Sequence, residues 1–174
     1  MVYEFKDELL DLVDDNDQVI GTIWRSEAIR TKSRNFRAAA GFLVNKKGQL
    51  WIPRRVAQKI SFPSAFDMSF AGHVSSGETY EKAFVREVAE ELRLDVSTLS
   101  WRVLGKMTPS VDGLACFSLV YEISYEQMPN YNRDDYCEAF WLYPHEVLEK
   151  LAVGERAKEG LPLMIKRFYV SKVC

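Results

Sequence analysis

Alternating polar and apolar residues, and short apolar runs bounded by turn-forming residues, predict strands along most of this chain. These strands are predicted at residues 9–13, 18–24, 38–44, 49–54, 66–71, 100–107, 113–125 and 137–142. Turn-forming residues at positions 14–17 and 45–48 join the first and second pairs of strands. The run at residues 113–125 is apolar almost throughout, which favours burial on both faces of the strand.

Helices are predicted where apolar residues recur at intervals of three or four positions. The clearest stretch extends from Thr79 to Leu92 without Gly or Pro, and its apolar stripe is formed by Tyr80, Phe84, Val88 and Leu92. Further helices are predicted at residues 26–30, with Ser26 as the N-cap, at 144–151 and at 157–172. The basic segment 30–37 predicts an exposed connection, and residues 56–65 and 127–136 predict loops. Helices interleaved with strands favour a layered α/β arrangement.

Composition narrows the class of protein. A chain of 174 residues with 47% hydrophobic and 28% charged residues is typical of one globular domain, here residues 1–174. A net charge of −2 argues against nucleic-acid or anionic-membrane partners. Three cysteines without a C-x-x-C pair indicate neither a disulfide framework nor a zinc cluster. With no apolar leader at residues 1–8 and no apolar run of membrane length, we expect a soluble, cytoplasmic protein.

Three carboxylates accompany the apolar stripe of the helix predicted at residues 79–92. Glu87 lies three residues before Glu90 and four before Glu91, so the three side chains are neighbours on one helix. Like charges at these spacings repel one another unless a cation lies between them, and Mg²⁺ or Mn²⁺ prefers such oxygen ligands. The alternative is a solvated acidic face supported by i,i+4 ion pairs such as Arg86 with Glu90.

The loop before this helix favours the metal site, because the whole stretch resembles the Nudix box, G-x5-E-x7-R-E-U-x-E-E-x-G-U, in which U is a bulky aliphatic residue. The matching positions are Gly72, Glu78, Arg86, Glu87, Val88, Glu90, Glu91 and Leu94. The chain departs from the pattern at its second glycine, which is Arg93 here. That glycine serves the C-terminal end of the helix, where a left-handed conformation is easiest without a side chain.

The resemblance implies an α+β fold, a Nudix-type α/β/α sandwich with a central mixed sheet and the Nudix loop-helix-loop. It also implies a site for Mg²⁺ or Mn²⁺ formed by Glu87, Glu90, Glu91 and the backbone carbonyl of Gly72. Arg86 would pair with one of the glutamates and orient it. Glu78 is expected to be structural or to support these ligands.

Upstream of the box, residues 54–73 resemble the isopentenyl-diphosphate isomerase branch of the family, and the wider likeness extends from about residue 9 to residue 150. The similar features are Arg54, Arg55, Lys59, the pair Phe62-Pro63 and the pair Gly72-His73. The isomerases need a cysteine where this chain has Ala71, and a glutamate about where it has Leu114. Alanine has no ionisable proton, and histidine is scarce. The chain therefore resembles a hydrolase offshoot of this branch.

Candidate residues for binding and proton transfer follow from the resemblance. Successive side chains of a strand point to opposite faces, so only one of Arg54 and Arg55 should reach a phosphate chain, and the branch favours Arg55 with Lys59. Two sources of the general base stay open, namely Glu90 and the loop carboxylates of Asp135 and Glu138. The four tryptophans are expected in the core, although one aromatic residue could stack on a base. His73 is expected to be a loop hydrogen-bonding residue.

The leading function is metal-dependent hydrolysis of a nucleoside di- or triphosphate, or of another X-linked diphosphate, by attack of water at phosphorus. The partner would be a small-molecule phosphate ester or nucleotide. Two alternatives stay open: an isoprenoid-type diphosphate or sugar-nucleotide hydrolase, and a catalytically silent nucleotide sensor. The leaving group, the base specificity and the oligomeric state do not follow from the sequence.

Overall fold

The computed structural model describes residues 7–170. The first element in this range is a hairpin that forms its own two-stranded sheet. Strand β1 (Leu9–Val13) pairs antiparallel with β2 (Val19–Trp24), and helix α1 (Arg25–Thr31) follows. The Asp14 side chain accepts hydrogen bonds from the backbone N–H groups of Asn16 and Gln18, which closes the turn between the strands. The predicted first pair of strands is therefore confirmed.

The remaining strands form one mixed sheet. They are β3 (Arg37–Val44), β4 (Leu50–Arg55), β5 (Phe70–His73), β6 (Trp101–Met107), β7 (Phe117–Ser124) and β8 (Tyr136–Leu142). The order across the sheet is β6-β7-β3-β4-β8, and β5 pairs with the first half of β3. Only β3 and β7 are parallel, whereas the other paired strands are antiparallel.

Helices cover both faces of this sheet. Helix α2 (Tyr80–Glu87) continues as a π-helical turn over Val88–Leu92, and a 3₁₀ turn follows at Val96–Thr98. The other helices are α3 (Pro109–Asp112), α4 (Pro144–Ala152) and α5 (Gly160–Ile165), the last continuing as a π-helical turn over Lys166–Val170. The last two positions of the helix predicted at 157–172 lie outside the described residues.

The core has two halves, one on each side of the sheet. Leu43 belongs to the half under α2, whereas its neighbour Phe42 belongs to the half under α4 and α5, because side chains alternate along a strand. The apolar stripe of α2 fills the first half, and Phe84 stacks on Tyr121 with ring centroids 4.2 Å apart. This arrangement confirms the α/β/α sandwich with a central mixed sheet.

Several predicted boundaries are wrong. The strand predicted at 66–71 begins only at Phe70, and Phe66 instead makes single bridges to Arg54 and Ala157. The strand predicted at 113–125 begins at Phe117, because α3 and the left-handed Gly113, with φ of 74°, precede it. In the segment predicted as an exposed connection, α1 extends to Thr31 and β3 begins at the half-buried Arg37.

Two predictions about single side chains also fail. Ser26 is not an N-cap, since α1 begins after Trp24, and its hydroxyl donates to Asp7 at 2.6 Å. Trp51 is fully buried, as predicted for the tryptophans, but Trp24 is 50% exposed and Trp101 37% exposed. Trp24 lies on β2 of the two-stranded hairpin, and Trp101 lies on β6 at an edge of the main sheet, so neither strand is covered by neighbours on both sides.

Arg93 takes the backbone conformation that usually requires glycine. Its φ and ψ are 55° and 37°, in the left-handed region, and its N–H donates to the carbonyl of Ala89 at 3.1 Å. The predicted need for a left-handed residue is therefore confirmed, and the exposed arginine side chain meets it at a conformational cost.

Arg93→Gly is expected to raise the free energy of unfolding by roughly 0.5–1 kcal/mol, because relief of left-handed strain exceeds the extra chain entropy of glycine. Urea denaturation of the two proteins measures this difference. Arg93→Ala serves as the control, since alanine removes the charge but keeps the Cβ atom. An equal gain in both variants would show that the backbone conformation is not the cause.

Candidate functional site

Arg86 ties the loop after β5 to helix α2. Its guanidinium donates to both carboxylate oxygens of Glu78, at 3.0 and 2.9 Å, and to the carbonyl of His73 at 2.8 Å. The same group also donates to the Glu87 carboxylate. Glu78 in turn accepts from the backbone N–H of Ser75 at 3.0 Å. One arginine therefore holds both ends of the loop and orients the buried Glu87.

Gly72 allows the closest approach between strand and helix in this region. A Cβ atom built at Gly72 would lie 1.8 Å from Glu87 Oε1, which is far inside any van der Waals contact. Gly72 pairs with Ala39 on the central strand β3, so its backbone has little freedom to move away. The carboxylate of Glu87 thus occupies the space that any other residue at position 72 would fill.

The three glutamates expected to bind the cation have different surroundings. Glu87 is buried, and burial raises the pKa of its carboxyl although Arg86 opposes the shift. Glu91 accepts from the backbone N–H of Ala71 and from the Tyr136 hydroxyl, both at 3.0 Å. Burial, followed by the nearby charge of Glu87, raises the pKa of Glu91 to about 8. The side chain of Glu90 is 61% exposed and lies 3.6 Å from Arg86.

Consecutive side chains leave a helix roughly a quarter of a turn apart, so Glu90 and Glu91 point in different directions from the π-helical turn at Val88–Leu92. Glu91 turns inward toward β5 and β8, whereas Glu90 stays at the surface. Across residues 7–170, no three His, Cys, Asp or Glu side chains are already gathered closely enough to hold a metal ion. The expected ligands are therefore neighbours that have not converged on one point.

The chemistry of these groups nevertheless fits a hard divalent cation. The charge of Glu87 raises the pKa of Glu91, so each carboxylate opposes ionisation of the other. A cation between them would remove that repulsion and would favour the ionised form of both. Oxygen is the donor atom in every candidate ligand, which suits Mg²⁺ or Mn²⁺.

Each cation predicted to bind substrate has a carboxylate partner. Arg55 is buried and donates to Asp67 at 2.7 Å and to the Ser61 carbonyl at 3.1 Å. Lys59 is ion-paired with Asp135. The Arg54 side chain points elsewhere and pairs with Glu138 at 2.6 Å and with Glu155 at 3.0 Å. The two arginines therefore point to different surroundings, as the strand pattern predicts.

Sequence reasoning missed three residues in this region. Asp67 is 1% exposed and bonds to Arg55, Tyr136 donates to Glu91, and Lys158 lies 3.7 Å from Asp67. Asp67 lies in a predicted strand, Tyr136 in a predicted loop and Lys158 in a predicted helix. None of them belonged to a motif, so no sequence signal identified it. Their proximity depends on how β5, β8 and the segment before α5 meet.

The N-terminal hairpin is anchored on the same loop through carboxylates. Asp11 accepts from the Ser76 hydroxyl at 2.8 Å and from the Gly77 N–H at 3.2 Å. Asp17 is buried between Arg37 and Lys106, which together lower the pKa of its carboxyl against the effect of burial. His73 contacts Glu8 through Nδ1 at 3.2 Å, which confirms the predicted hydrogen-bonding role, but the residue ends strand β5 and does not lie in a loop.

No helix in the described part of the chain is both long and apolar enough to span a membrane. The model of the NUDIX domain matches residues 34–164. A Nudix hydrolase of Deinococcus radiodurans is 44% identical over 163 residues, which cover 94% of this chain and 95% of that protein. An uncharacterized Nudix hydrolase of Nostoc sp. is 48% identical over 164 residues, covering 94% and 97% of the two chains.

Solved structures and more distant relatives agree with this likeness. The crystal structure of the D. radiodurans protein DR0079 aligns with a TM-score of 0.90 at 42% identity, covering 93% of this chain and 99% of that one. The isopentenyl-diphosphate Δ-isomerase of Enterobacter sp. is 32% identical over 89 residues. That match spans 51% of this chain and about half (49%) of the isomerase.

Proposed function

The chain belongs to the NUDIX family and is a Nudix hydrolase, and from that premise we propose that it hydrolyses a diphosphate linkage in a nucleoside di- or triphosphate or another X-linked diphosphate. Water would attack phosphorus with the help of Mg²⁺ or Mn²⁺. The observation that carries the proposal is the contact between Gly72 and the Glu87 carboxylate beside Glu91, whose pKa is raised.

The ligands proposed for the cation are Glu87, Glu90, Glu91 and the backbone carbonyl of Gly72. When bound, such a cation neutralises phosphate oxygens and lowers the pKa of water. Arg86 keeps Glu87 in place by donating to its Oε1 atom. This contact does not use the second carboxylate oxygen, Oε2. Little covalent help is needed from the protein, because phosphoryl transfer depends mainly on positioning and charge neutralisation.

For the general base, we favour Glu90 over the two carboxylates near β8. Asp135 is held by Lys59 and by the Asn132 amide at 2.7 Å, and Glu138 pairs with Arg54. Both carboxylates are thus already engaged by other side chains and are less accessible to a water molecule. Glu90 has the most exposed side chain of the four box glutamates and a long ion pair with Arg86, which leaves it accessible to a water molecule.

Arg55 and Lys59 are the proposed contacts for the phosphate chain. Both lie on the side of β4 and its following loop that faces Asp67 and Asp135. A diphosphate would compete with these carboxylates for the two cations. Arg55 is held in addition by the hydrogen bond that it donates to the Ser61 carbonyl.

A screen of nucleotides and other diphosphates for release of phosphate or pyrophosphate, with Mg²⁺, Mn²⁺ or EDTA, tests this proposal. We expect metal-dependent turnover of at least one X-linked diphosphate and none in EDTA. Hydrolysis confined to isoprenoid diphosphates or sugar nucleotides would favour the alternative substrate class. Tight nucleotide binding without any turnover would favour a sensor.

The same purified protein incubated with labelled isopentenyl diphosphate should form no dimethylallyl diphosphate. The backbone N–H of Ala71 donates to Glu91. The methyl side chain of Ala71 has no ionisable proton to transfer. Formation of the isomer at an enzymatic rate would contradict the assignment to a hydrolase offshoot.

A further inference from the structure

We propose that Lys158, which lies in the segment before α5, binds a phosphate group of the substrate. This inference rests on the proposed function, because it assigns a contact to the same diphosphate. It concerns a residue outside the box and outside the upstream segment that resembles the isomerase branch.

The backbone of Lys158 is held firmly beside the strand that leads into the box. Its N–H donates to the carbonyl of Phe66 at 2.9 Å, and the Phe66 N–H donates to the carbonyl of Arg156 at 2.8 Å. Ala157 and Phe66 thereby form a parallel bridge. The position of the Lys158 Cα atom is therefore set by the fold, while its long side chain keeps some freedom.

The contact with Asp67 does not explain why a lysine occupies position 158. Asp67 already accepts from Arg55 at 2.7 Å and from its neighbour, the Met68 N–H, at 2.9 Å. The Lys158 ammonium lies 3.7 Å from the nearer carboxylate oxygen, which is longer than a hydrogen bond. The buried Asp67 carboxylate thus faces two cations, of which Arg55 makes the closer contact.

Asp67 links Lys158 to the proposed site. It accepts from Arg55 at 2.7 Å, and it lies three residues before β5, whose Ala71 N–H donates to Glu91 at 3.0 Å. The Lys158 side chain is 28% exposed, so an incoming ligand has access to the ammonium.

The partly exposed ammonium, near Asp67 and its partner Arg55, suits contact with a phosphate oxygen. Lysine offers a compact point charge on a flexible stem, which can follow a phosphate group without fixed geometry. Arg55, Lys59 and Lys158 would then neutralise the phosphate chain from three different segments. Only the first two segments belong to the upstream region that resembles the isomerase branch.

Lys158→Met removes the charge and keeps most of the apolar stem. We expect it to raise KM for the hydrolysed diphosphate about 10-fold or more, with kcat changed less than about 3-fold, because the contact is made in ground state and transition state alike. Lys158→Arg should restore KM to within about 3-fold of the wild type. Lys47→Met, in the exposed turn between β3 and β4, is the matched control and should leave KM unchanged.

Calorimetric titration with methylenediphosphonate in Mg²⁺ gives a readout that does not need turnover. Weaker binding by Lys158→Met, with melting temperature close to that of wild type, is the expected result. An unchanged KM and diphosphonate affinity in Lys158→Met, with or without a loss of stability, would overturn the inference and leave Lys158 as a structural partner of Asp67. Failure of the wild type both to bind the diphosphonate and to hydrolyse any diphosphate would overturn the proposed function as well.

Discussion

Glu90→Gln is expected to lower kcat by roughly 10²- to 10⁴-fold, the range found for removal of an acid–base group from an active site. The side chain is 61% exposed, and its ion pair with Arg86, at 3.6 Å, is worth little in water. The substitution should therefore leave the melting temperature of the metal-free protein unchanged. Steady-state kinetics at saturating Mg²⁺, together with thermal denaturation in EDTA, measure both effects.

Glu81→Gln is the matched control, because Glu81 is an exposed glutamate in the first turn of the same helix. It carries the same change in net charge and should keep wild-type turnover. Titration of Mn²⁺ into both variants separates the two proposed roles of Glu90. Weakened Mn²⁺ binding indicates a ligand, whereas unchanged binding with lost turnover indicates the base. Near wild-type turnover of Glu90→Gln would contradict both roles.

Gly72→Ala is expected to reduce activity by at least about 100-fold, because the new methyl group must displace the Glu87 carboxylate from beside the strand. The Cβ atom would lie 1.8 Å from Glu87 Oε1, and Arg86 holds that carboxylate in place. The glycine has no left-handed φ, so alanine itself fits the backbone. We expect a further loss of roughly 1–3 kcal/mol of stability from overpacking.

The double-mutant cycle with Glu87→Ala tests this cause directly. Removal of the carboxylate should reduce the stability cost of Gly72→Ala to a few tenths of a kcal/mol, while activity stays low. Gly21→Ala serves as the control for a glycine-to-alanine change in a strand, since nothing lies within 4 Å of its added Cβ atom. An equal cost of Gly72→Ala in both backgrounds would show that contact with Glu87 is not responsible.

Local patterns predicted most elements of the fold, because they depend on side chains close together in the chain. The stripe of Phe84, Val88 and Leu92 is buried as its spacing predicts. The left-handed residue at the end of the same helix also follows from a local rule, even though Arg93 replaces the glycine. Errors arose where a neighbour distant in sequence decides pairing, as for Phe66, which bridges Ala157 instead of belonging to β5.

The sequence by itself determined the family and the set of candidate ligands, since the box is a contiguous pattern whose spacing is visible without coordinates. Only the tertiary structure decided how the glutamates differ. Glu91 points toward Ala71 and Tyr136, whereas Glu90 stays at the surface. Burial and mutual repulsion, which set the pKa of Glu91, depend on surroundings that no local pattern encodes.

The same reason explains why Asp67 and Lys158 could not be found from the sequence. They are 91 positions apart in the numbering and meet only because the segment before α5 docks on Phe66. A sequence motif identifies chemical groups that lie within one stretch of the chain. Charge balance inside a site is a sum over segments that folding brings together, and it therefore becomes visible only in the folded protein.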